Sequence, residues 1–367
     1  MPLWAMLLLI ALGAGVESAE PGRFAYAFGA ATLYVFLPPL LFEAAWNLDA
    51  DELLRRWRPI VTLAVPGVAI TTLIVGAAMW LVHVPLPAAV LVGAIVSATD
   101  PIAIVAIFRR MPVPAALSTI VQSEALLNDA VVVVAYRAIL AALLAGFSAR
   151  GELGIAFVAC AQVAAGIALG IGAAYLVALA LRRQDRDAPQ MIGTLAGAFV
   201  TYLGADFVHC SGIFATIAFG IALRAYERRF IELSIARDVE RFWDVLALAA
   251  NACVFFLTGA ALDISHAFSR PLAAVAALFG IAVARLVLAY ALTPLAMGTE
   301  AKPAWLHVIR VAGARGALSL ALAIALPATL AFRDLAIDVT FAVVLATLLA
   351  SALVVPRTIR RLAGQFD

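Results

Sequence analysis

Apolar residues run along this chain in unbroken blocks of up to about twenty, separated by short clusters of arginine, acids and proline. Blocks of that length predict helices that cross a lipid bilayer, because about 20 residues at 1.5 Å each span its hydrocarbon core. A porin-like barrel is excluded, since its strands alternate over segments of roughly 10 residues and these blocks are continuous. The punctuation divides the chain into twelve spans, at about 3–16, 24–46, 59–82, 86–108, 116–146, 154–181, 189–209, 211–226, 243–262, 271–296, 304–327 and 338–356. The first is short. The cut between the seventh and eighth rests on Cys210-Ser211-Gly212 alone.

Composition sharpens the class. Of 367 residues, 65% are hydrophobic and 13% charged, against about 45–50% and about 25% in soluble domains. The reading is therefore an all-α polytopic membrane protein. Formal charge is +2 with no basic block, which removes nucleic acid as a partner. Cys160, Cys210 and Cys253 all fall inside apolar runs, which argues against a disulfide framework. Met1–Val16 has neither a cationic leader region nor an A-x-A site, so no cleavable signal peptide is read there. With the N-terminus placed in the cytoplasm, inside loops hold 17 basic residues and outside loops hold 4. The positive-inside rule then puts both termini in the cytoplasm of a cell whose inner membrane the chain spans.

Nine charged residues lie within or at the ends of spans: Arg137, Arg285, Arg310, Arg315, Glu43, Asp100, Glu124, Asp129 and Asp206. Each costs at least ~2.5–3.5 kcal/mol at bilayer depth, so each pairs with another group or lines a polar cavity. Span four carries Ser97-Ala98-Thr99-Asp100-Pro101 at its middle. Proline removes a backbone donor and biases its predecessor away from helix. The segment is either an oxygen-rich site for a hard cation or a proline kink whose Asp100 pairs with a neighbouring arginine. Span five carries Glu124-Ala-Leu-Leu-Asn128-Asp129. On a helix Glu124 and Asn128 share a face, while Asp129 points roughly 140° away from Glu124. The two acids therefore have different tasks: Asp129 faces a cavity, and Glu124 faces a packed helix that supplies a base. A desolvated carboxylate is one for which protons and cations compete. In span two, Glu43 follows Pro38-Pro39 and is either a second cavity carboxylate or an interfacial one.

Span eleven places Arg315 between Gly313 and Gly316 in mid-membrane, so the helix can open there. Spans four and eleven differ by an odd number and run in opposite senses. Interrupted segments in corresponding positions point to an inverted-repeat transporter with its site at the midplane. The first repeat covers 1–146, a connector helix covers 147–188 and the second repeat covers 189–367. That leaves five spans against six, as though one helix were missing at the N-terminus. Gly166-x-x-x-Gly170 and Gly193-x-x-x-Gly197 mark close helix packing. His83, His266 and His307 sit at span ends. His209 beside Ser211 lacks the third orienting group and oxyanion donors of a hydrolase, so the chain is not read as an enzyme. A cation channel is the rival class, and no pore loop or gating-charge helix supports it.

At these motifs the chain resembles the monovalent cation–proton antiporters of the NhaP/NHE type. The resemblance runs from about Leu3 to Arg361 and rests on five segments in the family's order: Phe36–Trp46, Ser97–Ile102, Ser123–Tyr136, Ala236–Phe256 and Gly313–Leu322. It implies a Na+/H+ antiporter-like fold with two broken helices, a homodimer and an elevator-like movement of a core made of spans three to five and ten to twelve. It implies thirteen helices with an extracellular N-terminus, so that loss of the first leaves twelve and agrees with the arginine distribution. The transported Na+, Li+ or K+ and H+ are the ligands, no cofactor is expected, and pH homeostasis is the physiological setting. By the same resemblance Asp129 is the shared proton- and cation-binding carboxylate. Thr99 and Asp100 supply the broken-helix part of the site, Asn128 orients it and Glu43 adds an acidic contact. The transient Na+ ligands are Asp129, Thr99 and Glu43. Glu124 pairs with Arg285, and Arg315 offsets Asp100. The Asn128-Asp129 pair resembles the electroneutral branch, one cation for one proton. One position departs: relatives often carry serine after the glutamate, and here it is Ala125. Ser123 lies about 120° from the Asp129 face and does not replace that hydroxyl.

Overall fold

The computed structural model describes the chain apart from residues 1–2, 20–29, 101–103, 105–106, 109–110, 112, 146–148, 183–185, 230–236, 261–268 and 367. Pro101 and Ile102 of the span-four motif, Arg23, Arg109, Arg110, Arg183, Ala236 and His266 lie outside the described residues. The described elements are helical. In chain order they are α1 (Leu3–Ala19), α2 (Ala30–Trp46), α3 (Ala50–Arg55), α4 (Trp57–Leu81), α5 (Leu86–Ile95), α6 (Ala115–Ala145), α7 (Ala149–Leu181), α8 (Asp187–Phe207), α9 (Gly212–Arg229) and α10 (Arg237–Ala260). They continue with α11 (Pro271–Val287), α12 (Thr293–Met297), α13 (Pro303–Val311), α14 (Ala317–Ile324) and α15 (Arg333–Leu362).

Among the described residues, five helical stretches are long and apolar enough to cross a membrane on their own: Trp57–Leu81, Ala115–Leu144, Phe157–Leu181, Pro271–Met297 and Arg333–Leu362. The remaining predicted spans are shorter helices, charged ones such as α10, or two half-helices in series. Span four opens after Ile95, where α5 ends. Span eleven is α13 and α14, separated by residues 312–316. Between α11 and α12 the helix takes a π turn, Leu288–Leu292. Its cause is local: Pro294 has no N–H for the ladder, and Leu288 O instead accepts both the Thr293 N–H and, at 2.8 Å, the Thr293 hydroxyl.

The described residues fall into two compact units. The first takes in α1, the stretch from Glu52 to Leu143 and everything from Phe255 onward. One of its cores gathers Ile60, Leu63, Leu117, Ile120, Leu288, Val308 and Ile359 around α4, α6, α13 and α15. A second core sets Met6 and Ile10 of α1 against Phe255, Leu320 and Phe341. Backbones come close here, since a Cβ on Gly259 would collide with the Ile10 carbonyl and one on Gly13 with Phe256.

The second unit comprises α2 through Asp51 and the stretch from Leu144 to Val254. Its core is aromatic: Phe42 lies 4.3 Å from Trp243 and 5.3 Å from Phe219, centroid to centroid. Trp243 Nε1 donates to Thr194 Oγ1 at 3.1 Å, which satisfies the indole where no water reaches it. The first small-residue motif closes α7 onto α9, since a Cβ on Gly166 would sit 2.6 Å from Ser211 O and one on Gly170 would strike Ala215 O. Without a hydrophobic driving force between helices in lipid, that proximity is what makes the pair adhere. At the end of α9, Arg224 pairs with Glu227 at 2.6 Å and Glu240 at 3.1 Å and caps the Trp46 ring at 4.9 Å.

Candidate functional site

The two breaks meet inside the first unit. An unwound segment at membrane depth must find partners for every backbone group it frees. The Asp100 N–H donates to Ala314 O at 2.8 Å, so one broken helix supplies the other. The Arg315 N–H donates to Thr347 Oγ1 at 3.1 Å, and the Thr347 hydroxyl donates on to Val343 O. Arg285 Nη2 donates to Ala312 O, at the end of α13. On the other segment Ser97 caps α5 through its hydroxyl, 2.7 Å from Ala94 O. The glycines that flank Arg315 give bare floor: a Cβ on Gly313 would lie 2.5 Å from Arg285 Nε, and one on Gly316 2.7 Å from Asp100 Cβ.

Helical spacing on α6 delivers the acids. Asn128 Nδ2 donates to Glu124 Oε1 at 3.4 Å, one turn below, and to Thr99 Oγ1 at 3.5 Å on the first break. Its amide nitrogen thus faces two acceptors. Asn128 Oδ1 is buried with no hydrogen-bond partner among the described residues. Asp129 is half-buried as a residue, yet its Oδ1 is fully occluded and likewise has no hydrogen-bond partner. Glu124 also receives Arg285 Nη1 at 3.4 Å, and both side chains of that pair are buried.

Charge organises the rest. Arg315 is 1% exposed, and neither its Nε nor its Nη1 has a hydrogen-bond partner among the described residues. It is attracted by Glu124 and Asp129 and repelled by Arg285. Asp129 in turn feels repulsion from Asp100 and Glu124 and attraction from Arg315. Asp129, Asp100, Glu124, Arg285 and Arg315 therefore share one buried electrostatic field, in which Thr99 and Asn128 supply uncharged oxygens. Glu43 belongs to the second unit, where Asn47 Nδ2 donates to its Oε1 at 2.6 Å.

The sequence matches the family model described as "Sodium/hydrogen exchanger, transmembrane" over residues 7–361. The chain belongs to this family. Among its relatives, the Na(+)/H(+) antiporter ApNhaP of Aphanothece halophytica is 33% identical over 97% of this chain and 69% of that protein. The low-affinity Na(+)/H(+) antiporter NhaS1 of a Synechocystis species is 31% identical over 87% of this chain and 62% of that one. The chain thus spans about two thirds of the length of these relatives. Its fold matches the sodium proton antiporter MjNhaP1 from Methanocaldococcus jannaschii with a TM-score of 0.82, covering 98% of this chain and 92% of the other at 22% identity. An all-helical sodium/hydrogen exchanger fold in a multi-pass membrane protein, a transporter rather than an enzyme, is what the sequence motifs implied.

Several site features have no signature in the sequence. Thr347, which holds the Arg315 backbone, is one of three threonines in α15. The role of Gly313 as floor for Arg285 is visible only once the two segments meet.

Proposed function

We propose that this chain is a secondary-active antiporter that exchanges Na+ or Li+, with K+ as a third candidate, for H+ by alternating access. The observation that carries the reading is that Asp129 Oδ1 and Asn128 Oδ1, from consecutive residues of α6, are both occluded and without a hydrogen-bond partner among the described residues. Buried oxygens left without donors cost about 1–3 kcal/mol each, a cost that a proton or a monovalent cation would relieve. Asp129 takes one or the other, and that exclusivity couples the two fluxes. Thr99 offers a third oxygen, Asp100 adds negative field, and Arg315 keeps the site from holding two cations at once. Glu124 and Arg285 form the frame that orients Asn128. Glu43 as a further acidic contact, the one-for-one stoichiometry, the homodimer, the elevator-like movement and the cytoplasmic termini rest on the resemblance.

The test is the apparent KM for Na+ in proteoliposomes across a series of pH values. One proton competing with one cation raises KM about tenfold for each pH unit lowered on the acid side, while the maximal rate changes little. A KM that does not move with pH would rule out a shared site. The channel reading predicts conductive current without proton counterflow instead.

A further inference from the structure

Ser319, on the first turn of α14, is 0% exposed, and its Oγ donates to Ile95 O at 2.9 Å. Ile95 is the last residue of α5, and its carbonyl would accept the Thr99 N–H if that helix continued. The chain leaves the helix before Thr99, and Ser319 takes the place of the missing donor.

We infer that Ser319 is a positioning residue for the cation site and acts through Thr99. The inference rests on the proposed antiport. Residues 95–100 are tied to the second broken helix at both ends: Ile95 O by the Ser319 hydroxyl, and the Asp100 N–H by Ala314 O. Between the ties Val96 and Ser97 still close onto α5, their N–H groups donating to Val92 O at 2.9 Å and Ala94 O at 3.2 Å, and Thr99, beyond them, is held by the two anchors and by Asn128 at 3.5 Å. Gly316 completes the clamp, because its missing side chain lets Asp100 lie against the second break. Removing the Ser319 hydroxyl frees one anchor, lets Thr99 drift from Asn128 and leaves the Ile95 carbonyl unsatisfied at depth.

The experiment is the initial rate of exchange against Na+ concentration in proteoliposomes for wild type, Ser319→Ala, Thr99→Val and the double variant. Melting temperature in detergent is recorded for each. Ser319→Ala should raise KM about 3- to 10-fold, the loss one neutral hydrogen bond carries, with maximal rate largely kept. In the Thr99→Val background it should raise KM no further, because the residue it acts through is already gone. A lowered melting temperature with wild-type KM would overturn the inference, as would full additivity of the two substitutions. If Ser319→Ala does not assemble, Ser319→Cys keeps the size with a weaker donor and should still raise KM; a wild-type KM there overturns it equally. A wild-type chain that exchanges no cation overturns the proposed antiport and this inference with it.

Discussion

Glu124→Gln isolates what the buried pair contributes. Glu124 Oε1 accepts from Arg285 Nη1 and from Asn128 Nδ2, each at 3.4 Å. At that separation two unit charges attract by about 5 kcal/mol for an effective dielectric of 20. Breaking a buried pair by removing one partner costs about 3–5 kcal/mol, since the surviving charge stays desolvated. Glutamine keeps an acceptor oxygen for both donors, so the lower end of that range, about 3 kcal/mol, is expected. Arg285 would then also face Arg315 with less negative charge nearby. Unfolding entropy of about 2.1 cal/mol/K per residue gives roughly 0.8 kcal/mol/K for 367 residues, so Tm should fall by about 4 °C. The assay is heating in detergent followed by size exclusion, for Glu124→Gln, Arg285→Gln and the double variant. The double variant should lose clearly less than the sum of the singles, because it leaves no lone charge. Exchange below the new Tm should persist at a lower rate, because Asn128 loses part of the frame that orients it. An unchanged Tm in Glu124→Gln, or strict additivity in the double variant, would refute the coupling.

Two glycine substitutions separate the site from the scaffold. Gly313→Ala places a Cβ 2.5 Å from Arg285 Nε and should push the guanidinium off Glu124, lowering both Tm and exchange; in an Arg285→Gln background the same change should cost much less. Gly166→Ala drives a Cβ to 2.6 Å from Ser211 O and forces α7 from α9, at about 1–3 kcal/mol. Thermal unfolding should show that loss while KM for Na+ stays at the wild-type value.

The sequence carried most of this architecture because membrane depth leaves few solutions. Apolar length alone located the spans, and a proline or paired glycines beside a charged residue located both breaks. Cys210-Ser211-Gly212 does separate α8 from α9. Other features leave no mark in the apolar pattern, or depend on long-range pairing. The short α3 lies in a stretch whose arginines mark it as a loop. The π turn follows from Pro294 acting on a carbonyl several residues earlier, in a helix whose hydrophobicity is uninterrupted. Asp100 meets the second broken segment through its backbone N–H and the bare face of Gly316, contacts that residue order alone does not reveal. Ser319 and Thr347 are ordinary helix residues until the two broken segments cross.

Whether Asp129 is the shared proton and cation site is decided by a pH-gradient quench assay on proteoliposomes, with Na+, Li+ and K+ added in turn to wild type and Asp129→Asn. Folded wild type should collapse the gradient on addition of at least one cation, and Asp129→Asn, equally folded, should give no response to any. Retained exchange in Asp129→Asn would contradict the assignment of the shared site, and silence of the folded wild type to all three cations would contradict antiport.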